Sequence, residues 1–331
     1  MAQMDAPQAW GKAVAAELTV QAEVAARFTW RYDGRDGRLT AMYEKAKSAQ
    51  WNAATDIEWA NVPEFGSPLP DQGALPGVSL RGRAGSPVPA HLWERFRWEY
   101  HAWMTSQFLH GEQGALLATS RIVETVPDIE AKLFAATQVA DEARHVEAYA
   151  TYLDRLGAAY PIDPPLRTML AHIIGTGEWD LTFLGMQVIV EGIALAMFRL
   201  GNATSFDPVI RRITELVARD ESRHVAFGLL ALEGLYPELT SRELAEREEF
   251  VKESSLLMAR RFGMDEVWER LGVDVAEGVR FTSTDPIMVD FRRLMFTRVT
   301  TCLVRIGLLT DGVRAHLEQL SLLRPSSAAI R

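Results

Sequence analysis

Two short segments, Glu142-Ala143-Arg144-His145 and Glu221-Ser222-Arg223-His224, constrain this chain more than anything else in it. Each Glu-x-x-His lies inside Asp-Glu-x-Arg-His-Val, and a further glutamate, Glu112 or Glu191, stands 30 residues upstream of each. One shift of 79 residues carries 112 to 191, 142 to 221 and 145 to 224. Residues three apart on an α-helix share a face, so Glu142 can reach the same point as His145, and Glu221 the same point as His224. A helix rises about 1.5 Å per residue, so 30 residues let the chain leave a given depth, reverse and return to it. Four helices converging on one point are therefore expected, with Glu112 beside Glu142 and Glu191 beside Glu221.

Four carboxylates and two imidazoles on four helices form a set that holds two metal ions inside a helical bundle. Without cations, four buried carboxylates would repel one another and be desolvated at great cost; two divalent ions neutralise them. Mixed carboxylate and imidazole donors suit iron or manganese rather than thiolate-bound structural zinc. The expected centre is a pair of iron ions, and the same donors suit a manganese–iron pair. Asp141 and Asp220, each preceding one of these glutamates, are read as acceptors for the outer N–H of His145 and His224, with the pairing open. Arg144 and Arg223 would then pair with those aspartates or with the ligand carboxylates. One Glu-x-x-His alone is equally well explained as a solvated salt-bridge face. Two copies with matched flanks, and with apolar neighbours around Glu112 and Glu191, are not.

The rest of the chain fits an all-α bundle. From His91 onward, Leu92, Phe96, Tyr100, Met104, Phe108 and Ala115 recur at helical intervals. Thr125-Val126-Pro127-Asp128 reads as a helix start with proline in the first turn, the helix stopping at Gly157. Asp163-Pro164-Pro165 opens a region that Gly175 and Gly177 interrupt and that Gly201-Asn202 ends; Asp207-Pro208 starts a helix reaching about Gly234. Segments 240–263 and 285–308 are amphipathic. The expected organisation is one domain over 1–331: a helical arm and Gly/Pro-rich loop over 1–85, a metal-binding core over 86–235, and accessory helices over 236–331.

Composition removes several classes. A net charge of −9, with no dense basic cluster, argues against nucleic acid. The single cysteine, Cys302, excludes an intrachain disulfide and a thiolate cage and fits a reducing cytoplasm. The N-terminal MAQMDAPQAWGKAVAAEL is not read as a signal peptide. The most apolar run, Leu181 to Phe198, has Glu191 near its middle, which fits a buried bundle helix and not a membrane span.

Residues 91–235, with DEARH and DESRH, resemble the ferritin-like carboxylate-bridged di-iron superfamily, in particular its oxygen-activating branch of bacterial multicomponent monooxygenases and the ribonucleotide reductase small subunit. The resemblance implies ligands Glu112, Glu142, His145, Glu191, Glu221 and His224, and a reduced centre that reacts with dioxygen. Tyr149, four residues after His145, stands where the reductase subunit keeps its radical tyrosine. Trp51, in QWNAATDIEW, resembles that subunit's N-terminal tryptophan, which would connect through Asp220 and His224 to one metal as an electron-entry point. A core tyrosine and a packing tryptophan are the alternatives.

Departures are as informative. The tail LLRPSSAAIR lacks a tyrosine to pass a radical to a partner. Leu195 stands where the multicomponent hydroxylases carry threonine. Val217 stands where arylamine N-oxygenases add a seventh ligand, a histidine. Gly114 stands where ligand-binding oxidases carry a valine that cross-links to tyrosine. No single subfamily is matched.

The function expected is that of an oxygenase or oxidase that activates dioxygen and hydroxylates, N-oxygenates or desaturates a small, partly apolar organic substrate. The expected pocket comprises Phe108, Leu109, Ala115, Leu116, Gln187, Val188, Ala194, Leu195 and Phe198. Neither an iron–sulfur framework nor a dinucleotide motif is present, so a separate reductase or ferredoxin would supply electrons. The surplus of apolar helical faces leaves room for a homodimer. The competing readings are a radical-generating subunit that uses Tyr149 and an iron-oxidising storage protein.

Overall fold

The computed structural model describes residues 17–33, 37–69 and 85–325. Most of the segment read for a signal peptide, the middle of the Gly/Pro-rich loop and the end of the C-terminal tail lie outside these residues. Among the described residues all regular structure is helical: α1 Gly37–Ser48, α2 Trp93–Thr125, α3 Ile129–Leu156, α4 Pro164–Gly175, α5 Trp179–Thr204, α6 Pro208–Leu232, α7 Ser241–Arg260, α8 Asp265–Leu271, α9 Val275–Thr284, α10 Pro286–Ile306 and α11 Asp311–Gln319. This is a ferritin-like four-helix bundle, α2, α3, α5 and α6, with further helices before and after it.

Helix boundaries follow local chemistry. Asp128, Asp163 and Asp207 each accept a backbone N–H from the first turn of α3, α4 and α6, and Pro164 and Pro208 occupy first-turn positions where no N–H is needed. Pro127 precedes the Asp128 cap and does not sit within the first turn, because the carboxylate takes the capping position. Gly157 closes α3 in a left-handed conformation at φ 74°. Thr240 and Glu243 form a reciprocal capping box at the start of α7. The helix expected to end at Gly201 runs on to Thr204.

The bundle pairs α2 with α3 and α5 with α6, while α1 lies across α3 and α6. Within α5, Leu184–Val190 is a π-helical segment, and the Glu191 N–H bonds to the Met186 carbonyl five residues back. Such wide turns concentrate at functional sites. Helix α5 is the one described helix long and apolar enough to cross a membrane, yet 78% of its most apolar stretch is buried inside the protein.

Candidate metal centre

The six residues of the doubled motif meet in the middle of the bundle. Glu112 comes from α2, Glu142 and His145 from α3, Glu191 from α5, and Glu221 and His224 from α6. All six are buried. They form two overlapping donor groups, Glu112–Glu142–His145–Glu221 and Glu142–Glu191–Glu221–His224, with the donor atoms of each within 4.8 Å of one another. Glu142 and Glu221 are common to both groups, so two ions held here would share them.

Nitrogen and carboxylate oxygens crowd together at the centre of these groups. His145 Nδ1 lies 3.3, 3.2 and 3.3 Å from carboxylate oxygens of Glu112, Glu142 and Glu221. His224 Nδ1 lies 3.1 Å from Glu142 and 3.4 Å from Glu221, without hydrogen-bond geometry to either. Both Glu221 oxygens and Glu191 Oε2 are buried and have no hydrogen-bond partner. Buried polar atoms are rarely left so, and here several converge with their lone pairs.

The outer nitrogens are spoken for. His145 Nε2 is 3.2 Å from Asp220, and His224 Nε2 is 3.2 Å from Asp141. Each aspartate thus serves the histidine of the opposite helix, Asp141 reaching from α3 to α6 and Asp220 from α6 to α3. An Nε2–H donated to aspartate leaves the Nδ1 lone pair facing the carboxylates, the tautomer a metal needs. Arg144 and Arg223 pair with Asp141 and Asp220, not with the ligand carboxylates. Six carboxylates against two guanidiniums leave four negative charges, which two divalent ions balance with both imidazoles neutral. The residues present therefore fit a dinuclear centre.

Without ions the cluster is electrostatically divided. Burial pushes Glu112 up to about 8 and Glu191 well above the usual carboxylate range. Burial also acts on Glu142, but the His224 and His145 imidazoles outweigh it and hold that carboxyl low. Burial disfavours the charged forms of His145 and His224, yet the surrounding carboxylates prevail and raise both.

Trp51 donates its indole N–H to Asp220 at 2.8 Å, and its ring stacks on His145 with centroids 6.2 Å apart. The hydrogen-bonded path runs Trp51–Asp220–His145, not through His224, because Asp220 reaches across to α3. Gln50, which the sequence reading missed, donates to Asp141 at 3.0 Å, so adjacent residues of the arm cap both aspartates. Helix α1 ends at Ser48, which places Gln50 and Trp51 on a loop free to turn into the bundle. Tyr149 is fully buried, its hydroxyl has no hydrogen-bond partner, and its ring packs against Phe108 and Phe198.

A cavity of about 260 Å³ reaches Glu112, Glu191 and Glu221 and runs between α2 and α5. Of the expected pocket, Phe108, Ala115, Ala194 and Phe198 line it. Leu109, Leu116, Gln187, Val188 and Leu195 do not. Leu109 and Leu116 stand one helical step beyond the cavity-facing stripe of Phe108, Gly111, Glu112 and Ala115, a rotation of roughly 100°. On α5 the π segment gives Met186, five residues before Glu191, the cavity-facing place that a regular turn would give Gln187. Gln187 is instead fully buried beside Gly228, where an added Cβ would lie 2.6 Å from Gln187 Cβ. Leu195 is buried away from the cavity wall, as is Val188. Met104, Met197, Ile193 and His101 also line the cavity; a helical-face projection from Glu112 would have found Met104 and His101.

Fold and donor set together define the ferritin-like, carboxylate-rich class of dinuclear metal proteins. Within it, residues 117–307 match the family described as P-aminobenzoate N-oxygenase AurF, and the chain belongs to that family. It does so with Val217, buried on α6, in place of the additional histidine. Similar solved structures are R2-like ligand-binding oxidases reconstituted with a Mn/Fe cofactor. A point mutant reconstituted anaerobically has a TM-score of 0.50 and 17% identity over 83% of this chain and 96% of that one. The oxidase reconstituted aerobically with a long soak gives 0.44 and 18% over 88% and 92%, and an aerobically reconstituted point mutant 0.48 and 17% over 84% and 95%. Gly114 leaves space that the Leu170 side chain fills, a Cβ there lying 2.4 Å from Leu170 Cδ2. Comparison with curated proteins finds no match. The protein is a dioxygen-dependent di-iron oxidoreductase.

Proposed function

We propose that Glu112, Glu142, His145, Glu191, Glu221 and His224 hold two iron ions, and that the chain N-oxygenates or otherwise oxidises a small, largely apolar amine or arene in the adjoining cavity. The observation that carries this reading is the cavity itself, which meets three of the carboxylates at Glu112, Glu191 and Glu221 and is otherwise walled mainly by aromatic, Met and aliphatic side chains, with Arg97, His101, Gln107 and Arg261 among its polar members. The bound ions would supply the redox chemistry with dioxygen. The chain's own residues do the rest. Asp141 and Asp220 hold the two imidazoles in one tautomer, Arg144 and Arg223 balance those aspartates, and the apolar wall excludes water and orients the substrate.

Electrons come from outside the chain. The Trp51–Asp220–His145 path supports entry at the arm from a separate reductase or ferredoxin. A cytoplasmic location fits Cys302 being a lone, buried thiol. One domain over 1–331, and a homodimer through apolar helical faces, complete the proposal. The test is aerobic turnover of iron-loaded protein with a panel of arylamines and arenes and a chemical reductant. Oxygen consumption coupled to an oxygenated product supports the reading; oxygen consumed with no product from any aromatic overturns the substrate class.

A second reading, a radical-generating subunit, rests on Tyr149, which is buried beside Glu112 with an unpartnered hydroxyl. A Tyr149→Phe variant that keeps full turnover removes that reading.

A further inference from the structure

Gln138 lies on α3 one turn before Glu142 and is fully buried. Its side-chain nitrogen is 3.0 Å from Glu142 Oε1 and 3.0 Å from Glu191 Oε1. A primary amide carries two N–H donors, and both neighbours are carboxylates, so the nitrogen must face them. One amide therefore ties a carboxylate shared by both donor groups to one that belongs only to the Glu191–His224 group. With Oε1 occupied in this way, Glu191 Oε2 is the oxygen left without a hydrogen-bond partner.

The doubled motif gives Gln138 a counterpart that can be checked. The 79-residue shift that maps every ligand onto its mate carries Gln138 to Val217. Val217 is also fully buried, also one turn before its glutamate, and has no donor to offer. At this layer the bundle therefore breaks its own symmetry. The carboxylate of Glu191 is restrained by a donated N–H, while Glu112 receives nothing comparable from α6.

We propose that Gln138 is a positioning residue that makes the two metal positions unequal, by fixing Glu191 relative to Glu142 in the group completed by His224. The inference rests on the metal-centre reading above. Partners that orient a metal's ligands are typically worth about 10–100-fold in affinity. Gln138→Met keeps the length of the side chain and removes both donors. It weakens one of the two ions by about that factor and leaves the other within roughly threefold. Val217→Leu, at the mate position, leaves both within roughly threefold.

The experiment is anaerobic titration of full-length apoprotein with ⁵⁷Fe(II), followed by Mössbauer spectroscopy of wild type, Gln138→Met and Val217→Leu. Two ions with unequal quadrupole doublets in wild type, only one of them altered and weakened in Gln138→Met, support the inference. Two ions in wild type with both doublets equally affected, or neither affected, in Gln138→Met overturn it while leaving the metal centre standing. Fewer than two ions in wild type overturn the metal-centre reading itself. Should Gln138→Met not fold, the wild-type spectrum decides: two indistinguishable doublets contradict the proposed inequality.

Discussion

The two halves of the bundle supply the same ligands from dissimilar surroundings. On α2 and α3, Phe108 packs against Tyr149 with ring centroids 5.7 Å apart. The 79-residue shift turns that pair into Gln187 and Gly228, where the missing side chain of the glycine makes room for the glutamine. The first half presents Phe108 to the cavity; the second, wound into a π turn, presents Met186 and withdraws Gln187. Gln138 ties two carboxylates where Val217 ties none. The ligands repeat because two similar ions need similar donors. The wall around them differs because one side of the cluster faces a cavity.

That comparison can be broken most severely at the carboxylates both halves share. Glu142→Ala removes a donor common to both groups, and the expected outcome is loss of both ions and of turnover, larger than the roughly 10–100-fold that outer partners are worth. Glu112→Ala and Glu191→Ala each remove a donor from one group, so metal analysis should find one ion retained. Equal losses from all three variants would contradict the sharing. A smaller effect is expected at Gly228. Alanine there would force its Cβ against Gln187 at 2.6 Å, and chemical denaturation should show a cost of about 1–3 kcal/mol.

The arm offers a finer test. Trp51→Phe deletes the N–H donated to buried Asp220, with an expected loss of about 1–2 kcal/mol and slower reduction of the centre by an external donor. Unchanged reduction kinetics would remove the electron path from the account. The smallest effect lies at a joint between the halves remote from the ligands. His101 of α2 meets the Tyr152 hydroxyl at 2.6 Å, and Tyr152 donates in turn to Asp207, the cap of α6. Burial pushes His101 down to about 4. Above about 6.5 the ring is neutral folded and unfolded alike; between there and about 4 the unfolded chain takes the proton first. Stability should therefore fall as pH drops through that window, and His101→Gln should flatten this part of the profile.

Much of this was legible in the sequence because it depends on spacing along one helix. The Glu-x-x-His pairs, the 30-residue interval and the capping aspartates are local, so the convergence of the six side chains and the starts of α4 and α6 were readable from order alone. What order alone left open or misplaced depends on how helices face one another. The crosswise service of His145 by Asp220 and of His224 by Asp141 is set across α3 and α6. Trp51 consequently joins the His145 side. Five of nine expected pocket residues lie off the cavity because Leu109 and Leu116 fall one helical step from the stripe, and because no local signal marks the π turn that displaces Gln187. Gln138 left a trace that went unread: a glutamine at a core position one turn before Glu142, where the repeat carries valine.

The central claim is that these six side chains hold two iron ions. Anaerobic iron analysis per chain, on wild type and on a Glu142→Ala/Glu221→Ala double variant that folds as judged by circular dichroism, tests it most directly. Two ferrous ions in the wild type and none held by the variant are the expected result. Retention of two ions by the variant, or a wild type that binds one or none, would contradict it.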